Sequence, residues 1–599
     1  MSDRWVVALA GCAALGALRP SSLPVLLATA LVAAALLLRS PALLCLVTVL
    51  LVSALAGRSI RGLEGVVAAP VHGAVVLLGD PAPTPYGVRV DVRLGHRRLE
   101  LDARGGAADA LRSMLAGERA VVRGEVLPAP HDAPWLVARH VAGRLRAHVV
   151  VPEGGADLPH QAANALRRTL ESGAAPLPTV ARSLYSGLVL GDDRAQPVQL
   201  TDDFLGAGLT HLLAVSGQNV AFVLALAGPL LRRLRLWPRL LVTLAVITMF
   251  GLVTRFEPSV LRAAAMSGLA VTITTAGAPV TRLRLLALAV TGLLVVDPLL
   301  VHSVGFRLSA SAAAAITVLA PPLALALPGP ARLREAVGVT LAAQLGVAPV
   351  LLATFGPLPV ASLPANLLAV PVAGAVMVWG LTGGLVAGVV GGAVAEVLHL
   401  PTALLLAWLA EVAARAARLP LGSLEVPHVV ALAAGAALTI SGRARQRPAA
   451  RRAGLVLLAA TVAAATVAAQ APPPLRSDLA PALVRWHAGG SDVVVLGGGG
   501  GRSQLGPERA LSALRQAGVR SIDLLVVADP TVSPTLASAI EARHRLGGVV
   551  AVSGAELEGL DTAVHRSPRP GAVVPVGLLE VRLTAVGDRL VVEAVPVTG

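Results

Sequence analysis

The stretch Gly208-Leu-Thr-His-Leu-Leu-Ala-Val-Ser-Gly-Gln-Asn-Val220 sets His211, Ser216, Gln218 and Asn219 inside an apolar run. At membrane depth a polar side chain is costly unless it faces a partner or a wet cavity, so such residues mark pathways by default. Two readings compete: hydrogen bonds between helices, and the lining of a lumen. The pair Ser216-Gly217 favours the lumen, because a helix broken there frees backbone groups that can border water. Arg262 and Arg307 lie in or beside other apolar runs, and Gln344 and Asn366 lie within them. A guanidinium in such a place needs either an acid, for which Glu257 and Asp297 are available, or a passing phosphate. Cys12 and Cys45 sit in apolar stretches and read as small packing residues, with no metal or cofactor expected.

These residues need a particular kind of scaffold. The 599 residues are 55% hydrophobic and only 14% charged, where a soluble domain carries about 25% charged residues. Apolar runs of 17 residues or more recur, each long enough to cross a hydrocarbon core of about 30 Å as a helix. The expected class is therefore a polytopic α-helical membrane protein with roughly thirteen spans. Ala, Leu, Val and Gly dominate, and small residues let helix backbones approach closely in lipid. The formal charge is +15 with no lysine, so every fixed positive charge is a guanidinium. A GC-rich genome accounts for that bias, and guanidinium suits phosphate whatever its origin.

Three apolar stretches near 5–18, 22–38 and 41–57 form an N-terminal membrane segment, 1–57. The first resembles a signal peptide, but two more spans follow at once, so it reads as a retained helix. Residues 58–150 alternate apolar and polar, as in Val88-Arg89-Val90-Asp91-Val92-Arg93, and turn at Asp80-Pro81 and Pro85-Tyr86-Gly87. That period of two predicts a small β domain. Amphipathic helices follow over 160–203, and further spans from 204 complete a membrane domain, 160–470. A Pro-rich break, Ala471 to Pro474, precedes an α/β tail, 475–599, with strands near 482–496, 522–528 and 547–552. Short loops rich in arginine belong in the cytoplasm. Those around Arg232–Arg239, Arg282–Arg284, Arg332–Arg334 and Arg443–Arg452 place the β domain and the tail outside, leaving Arg415 and Arg418 on the wrong side.

The passage from Ser186-Gly-Leu-Val-Leu-Gly-Asp-Asp193 to Val220 resembles the ComEC family of competence proteins. That family carries a Leu-Leu-Leu-Gly-Asp element and then His-Leu-Leu-Ala-Ile-Ser-Gly-x-His-Val. His211, Ser216 and Gly217 match, while Asn219 replaces the second histidine. Pro258-Ser-Val-Leu-Arg-Ala263, Asp297-Pro298, Gly305-Phe-Arg-Leu-Ser309, Gln344 and Ala365-Asn-Leu-Leu-Ala-Val-Pro371 follow in the family's order. The resemblance implies an extracytoplasmic OB-like domain, a channel and a metallo-β-lactamase-like tail, in a cytoplasmic-membrane protein that passes single-stranded DNA inward during transformation. The implied partners are single-stranded DNA, the bilayer, a DNA receptor outside and a helicase or DNA-processing proteins inside, with a homodimer left open. The expected DNA path comprises His211, Ser216, Gly217, Gln218, Asn219, Arg262, Arg307, Gln344 and Asn366. OB folds hold single strands with a basic groove and stacking aromatics. Here Arg89, Arg93, Arg97, Arg98, Arg104 and Arg123 supply charge, with Tyr86 and Trp135 as the aromatics; a merely solvated face is the competing reading.

The tail departs from its family. A two-metal hydrolase needs imidazoles and carboxylates converging on one loop. The matching passage, Ile522 to Pro534, contains no histidine, and only Asp529 could ligate. Family element Asp-x-Gly-Gln-Gly-Asp has become Arg485-Trp-His-Ala-Gly-Gly-Ser-Asp492. His487, His544 and His565 are scattered, and the glycines 497–501 lack the Lys-Ser/Thr of a phosphate loop. The expectation is therefore a tail without enzymatic activity. Two rival readings are a membrane-bound nuclease that degrades one strand and a secondary transporter for a small anion, for which broken helices would also serve.

Overall fold

Runs of Leu, Ala and Val between Pro, Gly and Arg breaks form the helices of this chain. The computed structural model describes residues 2–84, 87–129, 135–470, 474–497, 505–519, 521–553, 555, 557, 560–566, 571–586 and 589–597. Tyr86, most of the glycine run at 497–501 and most of the break at 471–474 lie outside the described residues, as does the side chain of His565. The chain divides into two units, Met1–Thr466 and Val467–Gly599.

The first unit opens with helices α1 (Asp3–Leu18), α2 (Val25–Leu37) and α3 (Pro41–Arg61). Strands β1 (Ala69–Leu77), β2 (Ala82–Thr84), β3 (Gly87–Leu94) and β4 (Arg97–Ala103) follow, then α4 (Gly105–Arg112), β5 (Arg119–Pro128), α5 (Trp135–Ala138) and β6 (Val141–Gly154). Strand β1 pairs with both β3 and β5, β3 with β4, β4 with β6 and β6 with β5. The circuit closes into a five-stranded barrel. Only β4 and β6 run parallel; the other pairs are antiparallel. Val88, Val90 and Val92 point inward with Leu99, Leu101, Val122 and Leu145. Helix α4 adds Ala107, Ala108 and Leu111 to that core. The alternation seen in the sequence is thus the two faces of the barrel wall.

Next come α6 (Leu158–Gly173), α7 (Thr179–Leu190), α8 (Val198–Gly206), a 3₁₀ turn at Thr210–Leu212, α9 (Gly217–Leu231), α10 (Leu236–Val253), α11 (Pro258–Thr275) and α12 (Arg282–Val296). A second 3₁₀ turn, Pro298–His302, leads to α13 (Val304–Ala326), α14 (Ala331–Phe355), the short strand β7 (Leu358–Pro359), α15 (Ser362–Val390), α16 (Gly392–Arg418), β8 (Ser423–Leu424), α17 (Val426–Ala444) and α18 (Pro448–Gln470). Among the described residues nine helical segments are long and apolar enough to cross a membrane: α3, Thr210–Leu231, α10 and α13 to α18. The expected count of roughly thirteen spans also includes α1, α2, α11 and α12. The first two and α12 have only 16, 13 and 15 residues, and α11 carries Arg262. Strand β7 pairs with β8, so α15 and α16 form a hairpin whose two ends lie side by side.

The bundle core gathers Leu184, Tyr185, Phe204, Leu209, Met377 and Leu409. Helix α15 presents Gly380, Gly384 and Gly388 at every fourth position to α6 and α7. A Cβ on Gly384 would fall 2.3 Å from the Tyr185 hydroxyl, and one on Gly388 would fall 1.9 Å from Thr169 O. Small residues at this spacing permit backbone approach where lipid supplies no hydrophobic drive.

In the second unit, β9 (Arg476–Ala480), β10 (Leu483–Ala488) and β11 (Ser491–Leu496) form an antiparallel meander. After α19 (Pro507–Gln516) come β12 (Ser521–Ile522), β13 (Leu524–Val527), α20 (Pro534–Glu541), β14 (Arg545–Leu546), β15 (Val549–Ala551) and β16 (Val564–Arg566). Strands β13, β15 and β16 extend the sheet in parallel from β11. A separate antiparallel sheet joins β17 (Ala572–Val576), β18 (Leu579–Val586) and β19 (Arg589–Pro596).

Candidate functional site

Five helices form a ring in which each touches the next: α9 on α11, α11 on α13, α13 on α14, α14 on α15, and α15 back on α9. Each junction is specified by side chains. Ser259 Oγ of α11 donates to Val215 O just before α9 (2.9 Å), and a Cβ on Gly217 would fall 2.7 Å from Arg262 Nη2. Arg262 Nε donates to Ser309 Oγ of α13 (2.7 Å). Gly346 of α14 lies against Ser311 O, Gln344 Nε2 donates to Ser362 Oγ of α15 (2.7 Å), and Gly374 lies under the Phe222 ring of α9. On α11 only Val260 and Ala263 are buried among the described residues, so that helix is not packed on all sides.

The polar residues gather at one end of the ring. Gly217, Gln218 and Asn219 open α9, Arg262 lies in the second turn of α11, and Ser309 in the second turn of α13. Ser362 opens α15, with Asn366 one turn on and donating back to Ser362 O (2.7 Å). Together they make a collar. His211 and Gln218 are exposed, and Arg307 is exposed on the first turn of α13. Asn219 is buried: its Nδ2 donates to Leu188 O of α7 (3.1 Å), and Ser216 Oγ donates to its Oδ1 (3.2 Å). Its amide therefore ties α9 to α7. Of the acids expected to meet Arg262 or Arg307, Asp297 is taken by His140, and the Arg262 guanidinium is taken by Ser309.

Behind the collar lies a buried network that sequence reasoning missed. Helix α7 ends on Gly191 in a left-handed conformation (φ +73), with Gly191 N donating to Gly187 O and Asp192 N to Ser186 O. This is the glycine cap that the Leu-Gly-Asp element encodes. It aims Asp192 at Arg194 Nε (2.7 Å) and Arg167 Nη2 (3.2 Å). Arg167 of α6 is 1% exposed; its Nη1 donates to Leu190 O (2.8 Å) and Val253 O (2.7 Å), the C-terminal carbonyls of α7 and α10. Its Nη2 also reaches Asp80 Oδ2 (3.0 Å), in the barrel loop after β1, and Arg255 Nη2 reaches Asp80 Oδ1 (2.8 Å). Burial pushes the Asp80 and Asp192 carboxyls up, but the guanidinium groups beside them win and hold both below the ordinary aspartate range. The signal was available: Ala163, Arg167 and Leu170 share the buried stripe of α6, where an arginine requires partners.

The barrel arginines do not share one face. Arg89 is engaged by Asp102 (3.0 Å) beside the buried Glu100, Arg93 and Arg98 face each other across β3 and β4, and Arg97 Nη1 donates to Gly65 O (3.2 Å). Arg123 lies on the β1–β5–β6 wall, in an open groove of about 590 Å³ with His72, Glu125 and His148. Trp135 is exposed in α5.

In the tail, Asp492 accepts from Arg485 Nε (2.6 Å) and contacts His487 Nδ1 (2.8 Å). Asp529, at the end of β13, accepts from Thr531 N (2.8 Å) and Thr531 Oγ1 (2.6 Å) and pairs with Arg589 Nη2 (3.0 Å). Burial raises the Asp529 carboxyl, yet those donors outweigh it and hold it low. Among the described residues no three His, Cys, Asp or Glu side chains converge to hold a metal.

Residues 188–448 match the family model for competence proteins. This segment is a competence-protein domain. It holds all five ring helices, the collar and the Asp192 cap, and the match, together with helices apolar enough to cross a membrane, points to a membrane protein with a part in DNA uptake. No curated protein and no solved structure matches the chain.

Proposed function

We propose that this protein passes single-stranded DNA across the cytoplasmic membrane through the five-helix ring. The observation that carries the reading is the polar collar at one end of that ring, inside a competence-protein domain. Hydroxyl, amide and guanidinium groups there replace the water that phosphates and bases shed on entering a membrane. The barrel, on this reading, is an OB-like domain that guides the strand; its closed five-stranded wall and outward arginines support that. The tail is a metallo-β-lactamase-like domain that hydrolyses nothing, since Asp529 already has a guanidinium as its cation.

Exposed and buried collar residues should separate in a test. Gln218→Leu and His211→Leu should abolish uptake of labelled single-stranded DNA while membrane abundance stays normal. Asn219→Leu, which strands Leu188 O, should lower abundance itself. Normal uptake in both exposed-site variants would end the channel reading.

A further inference from the structure

Helices α6, α7 and α8 have 16, 12 and 9 residues, and carry Arg167, Arg168 and Glu171 in α6 and Asp202 and Asp203 in α8. They are too short and too charged to cross a hydrocarbon core, which takes about 20 apolar residues. They belong to the barrel side of the bundle. Asn164 Nδ2 donates to Ala116 O of the barrel (3.1 Å), Arg168 Nη2 pairs with Glu118 (2.7 Å), and Arg194, just after α7, donates to Pro81 O (3.0 Å). The long apolar helices α15 and α16 pack on these three. The Tyr185 hydroxyl of α7 donates to Gly380 O of α15 (2.8 Å), and its ring meets His399 of α16 edge-on at 5.5 Å. Thr169 O of α6 lies against Gly388 of α15, and Gly206 of α8 against Ala417 of α16.

Along α15 the partner changes at every second turn or so. Ser362 meets Gln344 of α14, Gly374 meets Phe222 of α9, Gly380 meets Tyr185 and Val189 of α7, and Gly384 meets Leu170 of α6. Two spans side by side behave otherwise: Gly346 and Gly338 of α14 both meet α13, at Ser311 and Ala315 and then at Ala320 and Ala324. Gly380 follows Ser362 by 18 residues. A helix running straight through the bilayer would be about 27 Å deeper there. Yet Val189 stands two residues before the Gly191 cap, next to Leu188, whose carbonyl is bonded to Asn219 of the collar. Both Ser362 and Gly380 are therefore at the level of the collar.

The uncovered side of the hairpin is apolar. Leu368, Leu385 and Val389 of α15 and Val397, Leu400 and Leu404 of α16 are exposed on it. Polar groups along this side are bonded within the hairpin: Trp379 Nε1 donates to Leu398 O (2.8 Å), Trp408 Nε1 to Leu368 O (3.3 Å) and Thr382 Oγ1 to Val378 O (2.9 Å). Such a surface suits acyl chains, which offer no hydrogen-bonding partner. A helix about 10–12 Å across also fits within half of a core of about 30 Å. The exposed stripe turns charged at Glu411, Arg415 and Arg418, beside the β7–β8 pair that closes the base of the hairpin.

We infer that the α15–α16 hairpin lies within the leaflet on the barrel side and does not cross the bilayer, with its exposed stripe as a docking surface for the acyl chains of that leaflet. In the ring, α15 is then a sill across the collar, and the crossing helices of the ring are α9, α11, α13 and α14. The inference stands apart from the channel reading, which is compatible with either course of the hairpin.

The test uses the full chain with Cys12→Ala and Cys45→Ala in vesicles of phosphatidylethanolamine and phosphatidylglycerol. Leu368→Cys, Thr382→Cys and Val389→Cys on α15, and Leu333→Cys, Val339→Cys and Ala353→Cys on α14, each carry one nitroxide. Power-saturation electron paramagnetic resonance, with oxygen and a nickel chelate as relaxing agents, reads the depth of each label. The three α15 labels should share one depth, while the α14 labels run from one side of the bilayer centre to the other. A depth that changes along α15 by about 1.5 Å per residue and passes the centre would overturn the inference. It would leave DNA uptake by the unlabelled protein, and the channel reading with it, as they stand. Val397→Cys and Leu404→Cys on α16 repeat the measurement where an α15 label disturbs insertion, and the same two outcomes decide it.

Discussion

At the scale of single residues, the most consequential side chain is one that no motif announces. Arg167 reaches two carboxylates and the carbonyl ends of two helices from a position 1% exposed. Removing one partner of a buried ionic group strands the others, at a cost of about 3–5 kcal/mol. Arg167→Ala should therefore lower the melting temperature of the solubilised protein sharply. Adding Asp80→Asn and Asp192→Asn, which removes the stranded charges, should recover part of the loss; a single variant as stable as the parent would show the network to be idle. The pH dependence has a definite sign. Both carboxyls titrate below their unfolded value, so their contribution is complete above a pH of about 4 and is lost as pH falls through the folded value. Acidification to pH 5 leaves the docking intact. The sequence made Asp192 visible as part of Leu-Gly-Asp and Asn219 visible as a polar residue in an apolar run. Their partners were hidden because Leu188 O, Asp80 and Arg167 come from other elements, and a backbone carbonyl has no signature in sequence. Asn219 was for the same reason grouped with the exposed Gln218, which only burial separates from it.

Elements were easier to read than contacts. Period-two alternation located the barrel strands, and long apolar runs located α13 to α18, because those patterns reflect the local geometry of one segment. Pairing order did not follow from pattern: nothing in β1 announces that it bonds to both β3 and β5. The tail shows the same division. The strand Leu524–Val527 was legible as a buried run, while the cation that meets Asp529 arrives from β19, about sixty residues downstream. That pairing bears on the proposed loss of hydrolysis. A bridging metal pair needs several anionic or imidazole ligands around ions about 3.5–4 Å apart. Here one carboxylate is satisfied by Arg589 and Thr531, and the other, Asp492, by Arg485 and His487. The full chain should leave single- and double-stranded DNA intact with Mg²⁺, Mn²⁺ or Zn²⁺, and Arg589→Ala should not create activity. Metal-dependent cleavage that disappears in Asp529→Ala would restore the nuclease.

For the whole molecule, the direction of the helices and the charge of the loops give one orientation. Arg232 to Arg239, Arg282 to Arg284 and Arg332 to Arg334 lie where α9, α11 and α13 end, opposite the collar. Arginine-rich short loops stay in the cytoplasm, so the orientation we propose turns the collar outward. The barrel docks through Arg255 and Asp297, which precede α11 and α13 at the collar end, and in the proposed orientation it lies outside as well. The hairpin of α15 and α16 keeps Arg415 and Arg418 on the side where the loop charges do not expect arginine. Because β7 pairs with β8, the chain returns to the collar side after α16, which puts Arg415 and Arg418 near that side and sends α17 inward to the arginine run 443–452. Two exposed arginines outside are outweighed by five within a ten-residue stretch inside; Arg415 is also neutralised by Glu411 (2.6 Å). In the proposed orientation α18 begins beside that run and carries the chain outward. Reporter fusions after His140 and Leu590 should show export, and one after Thr281 should remain cytoplasmic. Cytoplasmic activity at 140 would contradict the docking and the loop charges together, whereas cytoplasmic activity at 590 alone would fault only the crossing assigned to α18.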